Sequence, residues 1–331
     1  MLRPLAGLLA LAAALAACDF TPALDVDVPE HEAAVVLRTV LAADSTPVVR
    51  VSVSQDPYGR RRYGAPVETP AARVTLVRDG RAEPLTLRSE SCPFYDRGVE
   101  TSTECGAYVG ATPVEPGATY TVRAEVEGLP AAEGTVTVPP RPAVAVEEAT
   151  EGGGARRFRV RLEDPPGEGG RYALELLSRR QGFRSTTCDE TGCRDSTSFF
   201  ETDGWTRFSF ETSNPVLLSA SREVPGDGVE FVAFTDQTFD GAAFAASIDA
   251  DPQGRYVREV TDGPLMVRVA ALAPVVYDAY QVARFSLGDD NPFAEPADLP
   301  SNVEGGYGVV GAVTLVEVAF PGRGGAAGAG R

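Results

Sequence analysis

Four cysteines carry the most reactive side chains of the chain and fall in two close pairs, Cys92 with Cys105 and Cys188 with Cys193. In an oxidising compartment an even set of thiols makes disulfides, and local pairing is the expected one of three connectivities. Each bridge would close a short loop and contribute roughly 2–3 kcal/mol by the chain-entropy model. Zinc is the competing use, but there is no Cys-x-x-Cys, and spacings of thirteen and five match no common zinc knuckle. The sole histidine, His31, lies in a stretch read below as a tether, so a Ser-His-Asp or Cys-His arrangement has no base to draw on. No G-x-S-x-G elbow is present either. Two carboxylates suffice to hydrolyse a glycoside, yet 47 acids single out no pair. Asp236, Asp240 and the run Asp289-Asp290-Asn291 offer oxygen ligands without calcium-loop spacing, and Asx turns around Phe239 account for the first two. Gly306-Tyr307-Gly308-Val309-Val310-Gly311 matches G-x-G-x-x-G in form. It lacks the preceding strand and following helix that bring a pyrophosphate to a helix N-terminus, so its glycines are read as turns entering a last strand. Trp205 with Phe199, Phe200, Phe208 and Phe210 could stack on a sugar, but a core role is expected. No catalytic residue, metal or cofactor is assigned, and the chain is expected not to be an enzyme.

What the chain states most clearly is an address. Arg3 precedes Leu5, Leu8, Leu9 and Leu11 in an alanine-rich run that ends at Leu15-Ala16-Ala17-Cys18. A short apolar segment after one positive charge is a signal peptide, and its end resembles the lipobox at which bacterial lipoproteins are acylated and cut. Residues 1–17 are thus expected to be removed and Cys18 lipidated, with 18–32 as a tether. Two or three acyl chains, at about 0.8 kcal/mol per buried methylene, anchor a protein durably. The expected location is the envelope of a Gram-negative bacterium, on the outer membrane and facing periplasm or surface.

The 331 residues carry 30 Lys+Arg, all of them Arg, against 47 Asp+Glu, for a formal net charge of −17. Loss of Arg3 with the signal peptide takes this to −18. Without a basic block, such a balance excludes nucleic acid as a partner. With 43% hydrophobic residues, 34 Gly and 26 Pro, the composition is that of a turn-rich globular β protein of about two domains.

Period-two alternation predicts strands over 34–41, 49–53, 73–78, 82–87, 120–126 and 134–138, with Asp79-Gly80 as a hairpin turn. An immunoglobulin-like or transthyretin-like sandwich over 33–140 follows. Pro139-Pro140-Arg141-Pro142 marks the boundary to a second β-rich domain, 141–320. Its strands are expected over 158–162, 172–176, 206–211, 229–234, 242–248, 255–261, 265–271 and 309–320. One short helix begins at Pro274, with Val276, Tyr280 and Ala283 at helical spacing. The polar stretch from Arg180 to Ser198 reads as a cystine-closed recognition loop, with Arg179, Arg180, Arg184 and Asp189 as candidate binding residues. Residues 321–331 read as a disordered Gly/Ala tail.

Four stretches together resemble a family of exported bacterial lipoproteins known as domain of unknown function 4249. They are Ala72-Arg73-Val74-Thr75-Leu76 with Gly117-Ala118-Thr119-Tyr120-Thr121-Val122; Ala233 through Gly241; Leu272-Ala273-Pro274 through Tyr280; and Asn291-Pro292-Phe293-Ala294-Glu295-Pro296 with Ser301 through Gly308. The resemblance implies a place beside receptors that draw energy from TonB. The expected function is therefore a non-enzymatic accessory lipoprotein of such an uptake system, with membrane and receptor as partners and a cargo, small molecule, glycan or peptide, that the sequence does not name. A structural or adhesive surface lipoprotein without transported ligand is the alternative.

Overall fold

Alternation writes the strands. In Val35–Ala42 (β1) Val35, Leu37 and Leu41 are buried while Arg38 and Val40 face outward, the period of a strand with one face on a core. The computed structural model describes residues 31–55, 69–96, 99–149, 156–167, 169–189, 192–220, 231–250, 258–286 and 299–323, with side chains omitted at 90–104, 181–200, 258–259 and 284–286.

Among these residues the fold is mainly β. The largest sheet has nine strands. It runs from Gly192–Phe208 (β12) through Arg171–Asp189 (β11), Leu265–Leu272 (β16), Gly306–Phe320 (β18), β1, Val48–Val53 (β2) and Val99–Val109 (β6) to Thr86–Asp96 (β5). Phe231–Thr235 (β14) also pairs with β11. A five-stranded sheet orders Val303–Glu304 (β17), Ala132–Thr137 (β8), Thr119–Val126 (β7), Ala72–Arg78 (β3) and Arg81–Pro84 (β4). A four-stranded sheet orders Phe210–Thr212 (β13), Ala243–Ala250 (β15), Arg156–Glu163 (β10) and Ala143–Ala149 (β9).

Both smaller sheets pack on one face of the large one. The first core joins Val35, Leu37 and Val51 to Val74, Leu76, Val122 and Ala124, making a β-sandwich of the N-terminal half. The second joins Leu174, Leu176, Val267 and Val269 to Phe158, Val160, Leu162 and Ile248. Residues of opposite parity, Ala173, Ala270 and Leu272, take the helix Pro274–Ser286 (α3) on the other face, through Val276, Tyr277 and Tyr280.

The prolines at 139–142 stand where the chain passes from the first core to the second, between β8 and β9. β18 joins the two halves. Its first half lies parallel to β1, from Val35↔Gly306 to Ala42↔Val313, and its second antiparallel to β16, from Leu272↔Val313 to Leu265↔Phe320. The proline connector is pinned to that strand: Thr314 Oγ1 donates to the Pro139 carbonyl at 2.5 Å, and Arg141 Nη1 to the Leu315 carbonyl at 3.3 Å.

Three expectations need correction. The helix at Pro274 is present, but Pro215–Ala220 (α1) and Arg258–Thr261 (α2) are helical too. In α1, Pro215 sits in the first turn and Asn214 Oδ1 accepts the Val216 and Leu217 amides at 2.9 and 3.2 Å, an N-cap that outweighs short length. Within the strand expected over 255–261, a single helical turn at 258–261 buries Val260; four residues are too few for either period to declare itself. The tail expected from Pro321 begins later, because the Pro321 carbonyl accepts Arg156 and Arg323 pairs with Glu148, whereas 324–331 lie outside the described residues.

Candidate functional site

Two arms leave the ends of the large sheet. β6 meets β2 only at Val48↔Val109 and Val49↔Tyr108, so outward from Arg88↔Ala107 the strands β5 and β6 pair only with each other among the described residues. At the other end β11 leaves β16 at Ser178, and from Arg180↔Glu201 to Asp189↔Gly192 it pairs only with β12. The stretch Arg180–Ser198, expected as a loop, is therefore a two-stranded ribbon. Its Thr and Phe content favours strand, but a ribbon wet on both faces needs no apolar alternation and gives no period-two signal.

The cysteines sit on these arms. Backbone register puts Cys188 directly opposite Cys193; Cys92 faces Thr103 and Cys105 faces Glu90, so Cys92 and Cys105 are diagonal neighbours on one face. Cys105 is buried, while the side chains of Cys92, Cys188 and Cys193 lie outside the described residues.

The arginines expected to recognise a partner are engaged within the hairpin at its root. A register shift separates Ser178 from Arg180. Beside it Arg179 lies over the half-buried Trp205 ring, 5.6 Å from its centroid, and Arg180 Nη2 pairs with Glu201 Oε1 at 3.2 Å. Arg184 and Asp189 fall opposite Thr197 and Gly192 along the ribbon, their side chains outside the described residues. Phe208 and Phe210 are buried in the second core, as expected. The glycine-rich stretch 306–311 lies within β18, without the strand-turn-helix that a dinucleotide needs. Cys18 and the run Asp289-Asp290-Asn291 lie outside the described residues.

One polar cluster was only half legible. Asp236 and Asp240 meet Asp164, 72 and 76 residues earlier in the chain, with oxygens of all three within 4.8 Å of one another. The sequence could not supply Asp164, because nothing local marks so distant a neighbour. Asp164 Oδ1 accepts the Tyr172 hydroxyl and Oδ2 the Gly241 amide at 3.0 Å. Asp236 Oδ2 accepts the Gly170 amide, and Asp240 Oδ1 the Gly167 amide at 2.8 Å. Together these bonds tie the turn after β10 to the turn after β14. Burial, then the hydrogen bond from Tyr172 to Asp164, pushes the Tyr172 hydroxyl far above its usual range and keeps it a donor. Three carboxylates at this separation are also the ligand set of a hard cation, and they are the described residues that could hold one.

The turn-locking role predicts a specific outcome. Asp236→Ala orphans the Gly170 amide and should cost about 1–3 kcal/mol in urea unfolding. Asp236→Asn keeps an acceptor and removes one of three like charges, so it should cost less than Asp236→Ala. A calcium-dependent rise in melting temperature that Asp236→Asn abolishes would show a cation acting there instead.

Other charges are similarly matched. Glu175, 6% exposed, accepts Arg207 Nε at 2.9 Å and Arg268 Nη1 at 3.0 Å, and Arg268 reaches on to Glu317. Arg157, Arg159 and Arg161 line the outer face of β10, where Arg157 meets Asp249 across β15.

A family model described as "Domain of unknown function (DUF4249)" matches residues 21–317. No curated protein matches the chain. Among solved structures, a crystal structure of a Salmonella alpha-2-macroglobulin mutant aligns with a TM-score of 0.20 and 12% identity over 92% of this chain. The chain spans 16% of that protein's length, and so low a score carries no argument.

Proposed function

The chain belongs to the DUF4249 family, and on that premise we propose that it is a lipid-anchored, non-enzymatic accessory protein of the bacterial envelope that acts with a TonB-dependent outer-membrane receptor. The observation that carries this reading is where the family match begins. It starts at residue 21, three residues after Cys18, so the folded family unit follows the lipobox with almost no intervening chain. A protein held that close to a bilayer works on partners in or at the membrane. The β11–β12 ribbon is the element we assign to partner contact: it projects beyond the sheet, and its rigid root limits the ordering entropy lost on binding. Affinity purification from detergent-solubilised membranes should recover an outer-membrane receptor, and trimming the ribbon between Arg184 and Thr197 should abolish recovery. Recovery of no receptor, with unchanged growth of a deletion strain on every nutrient tested, would favour the structural or adhesive alternative.

The anchor has its own test. A palmitate analogue should label the wild-type protein through Cys18, and Cys18→Ala should lose both the label and membrane retention.

We also propose that each arm carries one disulfide, Cys188–Cys193 and Cys92–Cys105. Directly opposed strand residues have Cα atoms about 4.5–5.5 Å apart, inside the roughly 4.4–6.8 Å a disulfide spans. Diagonal neighbours stand farther apart, and the strong twist of a two-stranded ribbon shortens one diagonal. An unsupported ribbon is marginal in water, so a covalent staple has a clear physical task there. Non-reducing peptide mapping of exported protein should recover these two cross-links; cross-paired peptides or free thiols would refute the assignment.

A further inference from the structure

The outer face of β18, β1 and β2 carries a groove of about 710 Å³ that none of the chemistry above uses. Strand register fixes its floor. Arg38 stands directly opposite Arg50, with Val309 on its other side; Tyr307 and Val36 form the row before, Gly311 and Val40 the row after. α3 supplies one wall through Val276 and Ala279. It comes so close that a Cβ on Gly311 would stand 2.4 Å from the Val276 side chain. Exposed apolar side chains gather here rather than scatter: Val40, Val48, Leu299 and Tyr307, each 43–70% exposed, are four of the six large hydrophobics exposed among the described residues, and all four line the groove.

We propose that this groove binds a long-chain fatty carboxylate, its carboxylate on the Arg38–Arg50 pair and its chain along the valines beneath α3. Two like charges directly opposed across a ladder repel, and a carboxylate between two guanidiniums turns that repulsion into charge-assisted hydrogen bonds. A hydrophilic anion would engage the arginines and leave the valines wet; a neutral chain would do the reverse. Only an amphiphile with an anionic end meets both halves of the lining. The volume lies in the range of about 300–1,000 Å³ that holds one small ligand, which favours a single-chain acid over a two-chain phospholipid. This inference does not depend on the receptor role proposed above.

The test uses the full-length protein in isolated membranes, photolysed with a diazirine-bearing palmitate and mapped by peptide mass spectrometry. Label is expected within residues 36–48, 276–279 or 307–309, displaced by excess palmitate and not by hexadecanol or inorganic phosphate. Arg38→Gln with Arg50→Gln should reduce labelling roughly tenfold, as loss of a charge-assisted pair implies. Val40→Glu, at an exposed position where folding is untouched, should block it by placing a like charge beside the carboxylate. Label elsewhere or none, equal displacement by hexadecanol, retention of label in these variants, or stronger labelling by a diazirine phosphatidylglycerol would each overturn the proposal.

Discussion

Replacing Arg156 with Ala is expected to lower the free energy of unfolding by about 3–5 kcal/mol, the range for breaking a buried ion pair from one side. Arg156 opens β10 with its side chain turned inward, 0% exposed, on the same face as Phe158, Val160 and Leu162. Its guanidinium grips Glu148 on β9 with two bonds of 2.9 Å, Nε to Oε1 and Nη2 to Oε2. It also donates to the Gly263 carbonyl at 2.6 Å and the Pro321 carbonyl at 3.1 Å, and lies 5.4 Å from the centre of the Phe158 ring. One side chain thus clamps the start of β10, the turn after α2 and the residue after β18. Arg323 adds a second cation to Glu148 at 2.7 Å. Removing Arg156 leaves the two carbonyls without this donor and Glu148 with only its outer partner. Arg156→Lys should recover little, because an ammonium cannot span the bidentate carboxylate and both carbonyls in that plane. A urea melt of Arg156→Ala within about 1 kcal/mol of wild type would show that the clamp is not what closes this end of the fold.

The same clamp sets a pH dependence. Burial works to raise the Glu148 carboxyl, and the hydrogen bonds and charges of Arg156 and Arg323 overcome it, holding it below the ordinary value of 4.5. A carboxyl depressed in the folded state binds protons more readily when unfolded, so stability rises with pH through that window. The Glu148 contribution is complete above pH 4.5 and is lost as pH falls through the lower folded value. Glu148→Gln should flatten that part of the acid stability profile, as well as lowering its plateau.

How far these features were legible follows from the range of the signals. α3 announced itself because Pro274, Val276 and Tyr280 lie within two turns, so one window holds both its start and its buried stripe. The strand at 157–163 was equally clear, since Arg157, Arg159 and Arg161 alternate with Phe158, Val160 and Leu162. Arg156 escaped the same reading: beside Arg157 it looks like one more surface charge, and only Glu148 across the sheet makes its inward turn tolerable. Alternation says which face a residue takes and is silent on which strand lies beside it. The parallel pairing of β1 with β18, joining the two ends of the described fold, therefore left no local trace, and neither did the meeting of Asp164 with Asp236. The ribbons were missed for the opposite reason. A strand that buries neither face has no pattern to show.

Gly308→Ala is expected to cost roughly 3–5 kcal/mol, at the upper end for a single methyl group, because strain and collision act together. Gly308 has φ +117°, a region L side chains rarely occupy, and a Cβ built there would stand 1.9 Å from the Leu37 carbonyl oxygen. That oxygen belongs to β1, so the strand pairing itself must open to admit the methyl. Gly306 repeats the constraint one pleat earlier, where a Cβ would meet the Val35 carbonyl at 2.3 Å. The glycines of this stretch serve close approach of two backbones rather than a phosphate. Asn302 secures the same junction from the other side, its Oδ1 accepting the Val310 amide at 2.9 Å and its Nδ2 donating to the Val310 and Thr135 carbonyls at 2.9 and 3.1 Å. Gly128 is the control, with φ +80° and nothing within 4 Å of an added Cβ, so Gly128→Ala should cost only about 1 kcal/mol of backbone strain. If the two variants melted alike, positive φ alone would account for Gly308. A clear excess at Gly308 would instead locate the cost in the seam between β1 and β18, the pairing on which both halves of the fold depend.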